Sequence, residues 1–504
     1  MKDTWDYTHQ PALDTFAKPT HRLSLRKQPL TPLHWLIGLL VLISIGRVHD
    51  HVPALAALRP GLLLTAACVA MAVVYRHVLR LGNVTRPPYA RMVIAIGLVA
   101  IISSLTGISI GNSGSFLLTA LLPVYILFLL TTASVRNTHD LRWLCLSFIA
   151  GMLAVAVASI FLADRLYLDG YTRQGGVGMY DGNDIAVIYA VGIPLTVALI
   201  RVKGSGSRLV SASALFLALF SLALSASRGG FIGLMVVSVA VLILSRGWTL
   251  VHKLVLISVP ILTLTFFAPQ GYWNQMATLL NPTADYNFTS ESGRIAIWTR
   301  GMGYVAAYPV FGIGPDNFLR AEWMMSPATQ SGLLGVPAVD RAPHNTFLQV
   351  WAELGTAGLG FWLLLLIYGV LGPLALRSRM PQSWLTGSNQ DHRLLYLLSS
   401  YLPACYAGFA VTSFFVSHAY TSIVYLLTGM AAAHHVIVRR ELRAYRLRQL
   451  GEVQARRMSP SLQSVVFPAT DASIPPALAP PYLPSTRAWP PGAAGRLAKG
   501  STSD

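Results

Sequence analysis

The chain has 504 residues, of which 54% are hydrophobic and only 12% charged. Soluble domains carry about 25% charged residues, so the composition excludes a soluble enzyme and points to a polytopic membrane protein. The formal charge of +18 does not require nucleic acid, because the basic residues gather in alternate loops and in the C-terminal segment, where membrane topology accounts for them.

Residues 1–30 are polar and contain proline, which is not the pattern of a cleavable signal peptide. Twelve apolar stretches follow, at 33–48, 54–75, 91–109, 115–133, 141–163, 184–200, 208–225, 229–245, 250–268, 346–376, 393–416 and 419–438. Some fall short of the ~20 residues that a span usually needs. Only Ala226 to Gly229 separates the seventh from the eighth, and Ser225, Ser227, Gly229 and Gly230 permit a tight hairpin there. Cys68, Cys145 and Cys405 lie inside apolar stretches and read as packing residues.

The loops alternate in charge. One set carries Arg76, Arg80, Arg86, Arg136, Arg142, Arg201, Lys203, Arg208, Arg246, Lys253, Arg377 and Arg379, and the C-terminal segment adds Arg439, Arg440, Arg443, Arg446 and Arg448. The other set holds most of the acidic residues, among them Asp50, Asp164, Asp181, Glu291, Asp316 and Glu322. The positive-inside rule then places both termini in the cytoplasm. The expectation is an all-α integral membrane protein of about 12 transmembrane helices. It has a cytoplasmic segment at 1–30, a membrane domain at 31–438, and a large periplasmic loop at 269–345 between spans 9 and 10. A basic, then Pro- and Ala-rich cytoplasmic tail at 439–504 has, beyond Gly451, the composition of a disordered segment.

Two outer segments exceed a simple turn. One, at 164–183, contains Arg173 and a glycine-rich run. In the other, Ile295, Trp298, Met302 and Val305 recur at helical spacing and predict an amphipathic helix on the membrane surface or the bundle. Tyr308-Pro309 ends it, and Gly312-Ile313-Gly314-Pro315 forms a turn. A continuous helix from His344 to Leu376 would be about 50 Å long, against a hydrocarbon core of about 30 Å. It therefore either projects outward or breaks near Gly355 and Gly358.

Three residues stand out. Arg228, at the outer end of a span, either clamps a phosphate or diphosphate or snorkels to the interface; Gly229 and Gly230 beside it would let a headgroup approach the backbone. Arg294 begins the loop helix, where an anion is favoured, or is a solvated or Glu291-paired arginine. His344, between Pro343 and an apolar helix, suits general-base work, and a helix N-terminus disfavours its charged form. A capping or interfacial histidine is the plainer account. Asn345 fits an N-cap. Arg173, Asn183, Arg300 and Arg341 are lesser candidates, with structural roles as the simpler reading. Glu353, early in an apolar helix, needs a partner.

The pattern resembles the O-antigen ligase and polymerase superfamily of bacterial envelope glycan assembly. The likeness rests on Ser227-Arg228-Gly229-Gly230, on the run from Ser292 to Trp298, on that from Tyr308 to Phe318, and on that from Pro343 to Gly355. It covers roughly residues 225–375. The resemblance implies a bacterial inner-membrane glycosyltransferase with a periplasmic active site and no cofactor or required metal. Its donor would be an undecaprenyl-diphosphate-linked glycan, and its acceptor the hydroxyl of a glycolipid such as lipid A-core or of a growing glycan. By resemblance Arg228 and Arg294 hold the diphosphate and His344 activates the acceptor, with Arg173, Arg341, Asn345 and Glu353 as further substrate-binding candidates. Membrane lipids, not nucleic acid, are the surroundings. A repeat-unit polymerase is the alternative on the same scaffold, and a lipid-linked glycan transporter or flippase the alternative of another class. A transporter should carry ionisable residues near the midplane, whereas this chain gathers its notable charges at one face.

Overall fold

Each of the twelve apolar stretches coincides with a helix in the computed structural model, which describes residues 28–168, 171–202, 204–281, 290, 293–325 and 342–458. The helices are α1 (Pro32–Gly46), α2 (Pro60–Val74), α3 (Pro88–Thr106), α4 (Ile110–Ala133), α5 (Thr138–Leu162), α6 (Gly182–Ile200), α7 (Ser205–Ser225), α8 (Arg228–Leu244) and α9 (Leu250–Phe267). The long loop contributes α10 (Arg294–Ala307) and α11 (Phe318–Met325), followed by α12 (Thr346–Arg377), α13 (Gln390–Ser413) and α14 (Ser422–Met458). The expected N-terminal segment up to residue 27, the tail from 459, and Lys203, Glu291, Ser292 and Arg341 lie outside the described residues. Two compact units divide the chain, Met1–Arg446 and Leu447–Asp504. Of the second, residues 447–458 are described and are helical.

Among the described residues nine helices are long and apolar enough to cross a membrane. The other three, α1, α2 and α8, have 15, 15 and 17 residues. At 1.5 Å per residue they reach about 22–26 Å, less than the hydrocarbon core of about 30 Å. The protein is thus an α-helical membrane protein, with nine full-length candidate spans among the described residues where the sequence leads one to expect about twelve. The three cysteines are free and buried, as apolar packing requires.

Helices α6 and α13 form the centre, with 83% of each apolar window buried, whereas α9 has 11% buried and lies at the periphery. Around α6 pack α5, α7, α8 and α13, and α12 lies between α13 and α3. Where α6 approaches its neighbours small residues permit contact: Gly192 sits against Met152 and Phe148 of α5.

A two-stranded antiparallel hairpin, β1 (Arg165–Leu168) with β2 (Tyr171–Gln174), departs from the all-α expectation. Asp169-Gly170 between the strands is a strong short-range hairpin signal in the sequence. Gln174 anchors it: its amide donates to the Ser159 carbonyl, and Ser159 hydroxyl donates back to the Gln174 side chain at 3.0 Å.

The predicted break in α12 is real and falls at Gly355, whose φ of 66° and ψ of −171° interrupt the helix. The break exposes backbone groups on both sides, and the segment after α10 takes them. Ile313 N–H donates to Ala352 carbonyl at 2.9 Å and Gly314 N–H to Glu353 carbonyl at 3.1 Å. In return Thr356 N–H donates to Pro309 carbonyl at 2.9 Å and Ala357 N–H to Val310 carbonyl at 3.2 Å. Ser103 of α3 also donates to the Glu353 carbonyl, at 2.6 Å. The loop is therefore stitched into the helix by backbone hydrogen bonds.

Helix α10 exists and its C-cap is Tyr308, as the Tyr-Pro pair predicts, while its apolar spacing marks the buried face only in part, through Trp298 and Val305. Ile297, Gly301, Tyr304 and Val305 are buried, whereas Ile295 and Met302 are exposed. The closest approach is made at Gly301, where an added Cβ would lie 2.9 Å from Leu348 of α12 and 3.1 Å from Phe318 of α11. Glycine defines the interface and carries no hydropathy signal. Arg300 and Tyr304 clamp α11 to α10: Arg300 Nη2 lies 2.8 Å from Glu322 Oε2, and Tyr304 hydroxyl donates to Glu322 Oε1 at 2.7 Å.

Gly355→Ala should lower the thermal midpoint, because an added Cβ would clash with the Val310 carbonyl oxygen and a backbone at φ 66° and ψ −171°, a region open essentially to glycine alone, costs another residue about 1–3 kcal/mol. Gly360→Ala, with nothing within 4 Å of the new methyl, should be neutral or stabilise by up to about 1 kcal/mol. Equal shifts in thermal unfolding of the two variants would contradict the stitched break.

Candidate functional site

The α7–α8 connection is the expected hairpin, made by Ala226 and Ser227 alone. Ala226 takes a left-handed backbone (φ 46°), which turns the chain at once. Ser227 caps α8, its hydroxyl accepting from Gly230 N–H at 3.0 Å and donating to Asn183 Oδ1 at 2.6 Å. Arg228 is consequently the first residue of α8, half-buried, with Nη1 donating to Thr278 Oγ1 at 2.8 Å. Gly229 and Gly230 do not open the backbone to a headgroup, as the sequence suggested. They admit protein side chains: a Cβ on Gly229 would lie 3.1 Å from Phe415, and one on Gly230 would lie 2.7 Å from Leu222 and 2.9 Å from Ala186.

Asn183 belongs to the N-terminal turn of α6, which is closed by a capping box. Asp181 accepts from the N–H groups of Asn183 and Asp184 at 2.7 and 2.8 Å, and Asp184 Oδ2 accepts from Asp181 N–H at 2.9 Å. The other Asp184 oxygen lies 3.0 Å from His418 Nε2. His418 is held in turn by Thr421 Oγ1 at 3.0 Å from Nδ1, and its N–H donates to Thr346 Oγ1 at 2.8 Å. Gly182 leaves room for Arg173, whose Nη2 would be 3.0 Å from a Cβ there. The Arg173 Nε is buried without a hydrogen-bond partner.

Helix α10 brings Arg294 and His344 into the same neighbourhood. Arg294 is its first residue. One turn on, Trp298 Nε1 donates to the Pro343 carbonyl at 2.9 Å, tying α10 to the residue that precedes His344. The Trp298 ring packs edge-on against Phe414 at 5.4 Å, Phe414 packs against Phe415 at 5.5 Å, and Phe347 lies 6.1 Å from Phe414. A run of aromatic rings thus links Gly229, beside Arg228, to the segment that carries His344.

His344 has a left-handed backbone (φ 45°) between Pro343 and the N-cap Asn345. Burial lowers its pKa below the usual 6.5, and the Arg294 guanidinium lowers it further, while Asp181 and Asp184 act in the opposite sense. These two causes favour the neutral imidazole, the same direction that a helix N-terminus implies from sequence. A neutral imidazole beside a cation, with carboxylates near by, can accept a proton at a place where an anion is also attracted.

Of the remaining candidates, Asn345 is the N-cap of α12, accepting from Phe347 and Leu348 N–H at 2.9 and 3.1 Å. Glu353 is buried in the α12 break and accepts from Phe318 N–H at 3.2 Å. Arg300 is engaged with Glu322. Arg341 lies outside the described residues. Sequence reasoning missed His418 as a partner for Asp184. A lone histidine at the entrance to the last span gives no spacing signal, and its partner is 234 positions away. Among the described residues no three His, Cys, Asp or Glu side chains converge as a metal-binding group.

Residues 213–363 match a family model described as O-antigen ligase. The match runs from α7 into α12 and includes Arg228, Arg294, His344, Asn345 and Glu353, while Arg173 and Asp184 precede it. No curated protein matches the chain.

The imidazole of His344 should titrate below 6.5 in the folded protein, and Arg294→Gln should raise that value. Because the folded-state pKa is depressed, this histidine's contribution favours folding above about pH 6.5 and is lost as pH falls through and below it. NMR titration of the ring in both variants checks the order; an unchanged value in Arg294→Gln would contradict the coupling.

Proposed function

We propose, from the premise that residues 213–363 are an O-antigen ligase domain, that the protein is a membrane glycosyltransferase using a glycan carried on undecaprenyl diphosphate. The acceptor is a hydroxyl group, in the favoured reading that of lipid A-core at the periplasmic face of the bacterial inner membrane. The observation that carries the proposal is the tie between Trp298 and Pro343, which sets His344 beside Arg294.

In this reading Arg228 and Arg294 grip the diphosphate, each at the first turn of a helix whose free N–H groups add to the positive field. Arg173, above the N-terminus of α6, adds to the same potential. The acceptor oxygen forms its bond to the anomeric carbon as the bond from that carbon to the diphosphate oxygen breaks. The acceptor's proton passes to His344, and the electron pair leaves with undecaprenyl diphosphate, whose charge the arginines stabilise. A single displacement inverts the anomeric centre. The Asp184–His418 pair, joined to Arg228 through Asn183 and Ser227, holds the rim of the site in place.

Purified protein given a labelled undecaprenyl-diphosphate glycan and lipid A-core should move the label onto lipid A-core with inversion. Longer lipid-linked chains formed without that acceptor would establish the polymerase, and movement of intact donor across a bilayer without transfer would establish the transporter. His344→Asn keeps a residue that tolerates the left-handed backbone and should lower transfer about 10²–10⁴-fold. Arg228→Ala and Arg294→Ala should each lower it about 10²–10³-fold. Full transfer by both His344→Asn and Arg228→Ala at normal protein level would sink the mechanism.

A further inference from the structure

At the opposite end of the bundle from Arg228, a crevice of about 680 Å³ opens between α6, α7, α8 and α9. Its size is that of a ligand pocket, typically about 300–1,000 Å³. The walls are apolar, with Val197, Leu219, Val237, Val241 and Val255 among them. Val241 lies thirteen residues beyond Arg228 on α8, about 20 Å along the axis, so the mouth is remote from the transfer site. Its outer wall is α9, the least buried of the candidate spans, which leaves the crevice beside lipid.

The mouth is basic. Arg201, Arg208, His252 and Arg393 line the crevice, and none of its lining residues is acidic. Arg201 is engaged: it donates to Tyr401 hydroxyl at 2.7 Å and to Arg246 carbonyl at 2.9 Å, and lies 5.2 Å from the Trp248 ring centre. Arg208 is exposed, with Nε donating to the Ile200 carbonyl at 3.2 Å. The Arg393 Nε is buried and has no hydrogen-bond partner. A buried guanidinium N–H left open costs about 1–3 kcal/mol or more, and an anion at the mouth would satisfy it.

We propose that this crevice binds one anionic phospholipid, its acyl chains between α7, α8 and α9 and its phosphate at Arg208 and Arg393. The lipid belongs to the leaflet at the Arg201 end, which is the cytoplasmic one in the orientation that the loop charges imply. An apolar crevice lined by Arg201, Arg208, His252 and Arg393 and by no acidic residue fits a lipid whose headgroup is negative. The Trp248 ring, beside the mouth, suits the interface.

The test is native mass spectrometry of the full-length protein titrated with phosphatidylglycerol or phosphatidylcholine. One phosphatidylglycerol should bind more tightly than phosphatidylcholine, by about fivefold for each arginine that contacts the headgroup. Arg208→Glu, at an exposed position, should fold normally and reverse that arginine's share of the preference, and Arg208→Gln with Arg393→Gln should abolish it. Equal retention of the two lipids would overturn the proposal, as would a preference that Arg208→Glu leaves unchanged. Neither readout depends on glycan transfer.

Discussion

The backbone exchange at the Gly355 break is the constraint on which the rest of the outer architecture depends. A helix that stops hydrogen-bonding to itself inside a membrane protein must find other partners for the freed groups, each costing about 1–3 kcal/mol if buried unpaired. Residues 309–314 supply them, two bonds in each direction. Those residues immediately follow α10, so the exchange fixes where α10 ends. Gly301, Phe318 and Leu348 then fix how α10 lies against α12. Arg294, at the other end of the same helix, is placed in part by this packing. Glu353 belongs to this seam, where Phe318 N–H and the neighbouring carbonyls hold α11 and the turn together.

The site gathers positive charge against a cost. Arg228, Arg294 and Arg173 each stand at or over the N-terminus of a helix, where a cation is disfavoured and an anion welcomed. Asp181 and Asp184 offset part of this, but they are committed to the α6 cap and to His418. His344 adds a left-handed backbone at a non-glycine residue, a conformation found at functional sites more often than chance would place it. Four unfavourable local choices thus stand in the site, and a bound anion is the chemistry that would offset the three made by arginines.

Much of the fold was legible because apolar runs of this length have few alternatives. The hairpin at Ala226, the α12 break and the Tyr308 helix end were all readable from glycine, serine and proline chemistry. What the sequence hid was the identity of contacts made by residues without a hydropathy signal. Gly301 turns the buried face of α10 toward Ile297 and Tyr304, Gly229 and Gly230 receive Phe415, Leu222 and Ala186, and the strands on either side of Asp169-Gly170 are too short to show alternation. Arg228, Arg294 and His344 stand out in the sequence by type and order. Trp298, which joins the last two through Pro343, reads in the sequence as one more apolar position. His418 could not be paired with Asp184 by any local pattern.

The central claim is a division of labour: the arginines hold the diphosphate and His344 handles the acceptor's proton. It is tested most directly by measuring binding and transfer separately, with the same undecaprenyl-diphosphate glycan, in Arg228→Ala, Arg294→Ala and His344→Asn. The account predicts weakened donor binding in both arginine variants, and near-normal binding with lost transfer in His344→Asn. Donor binding that survives loss of both arginines, or that collapses in His344→Asn with the fold intact, would contradict it.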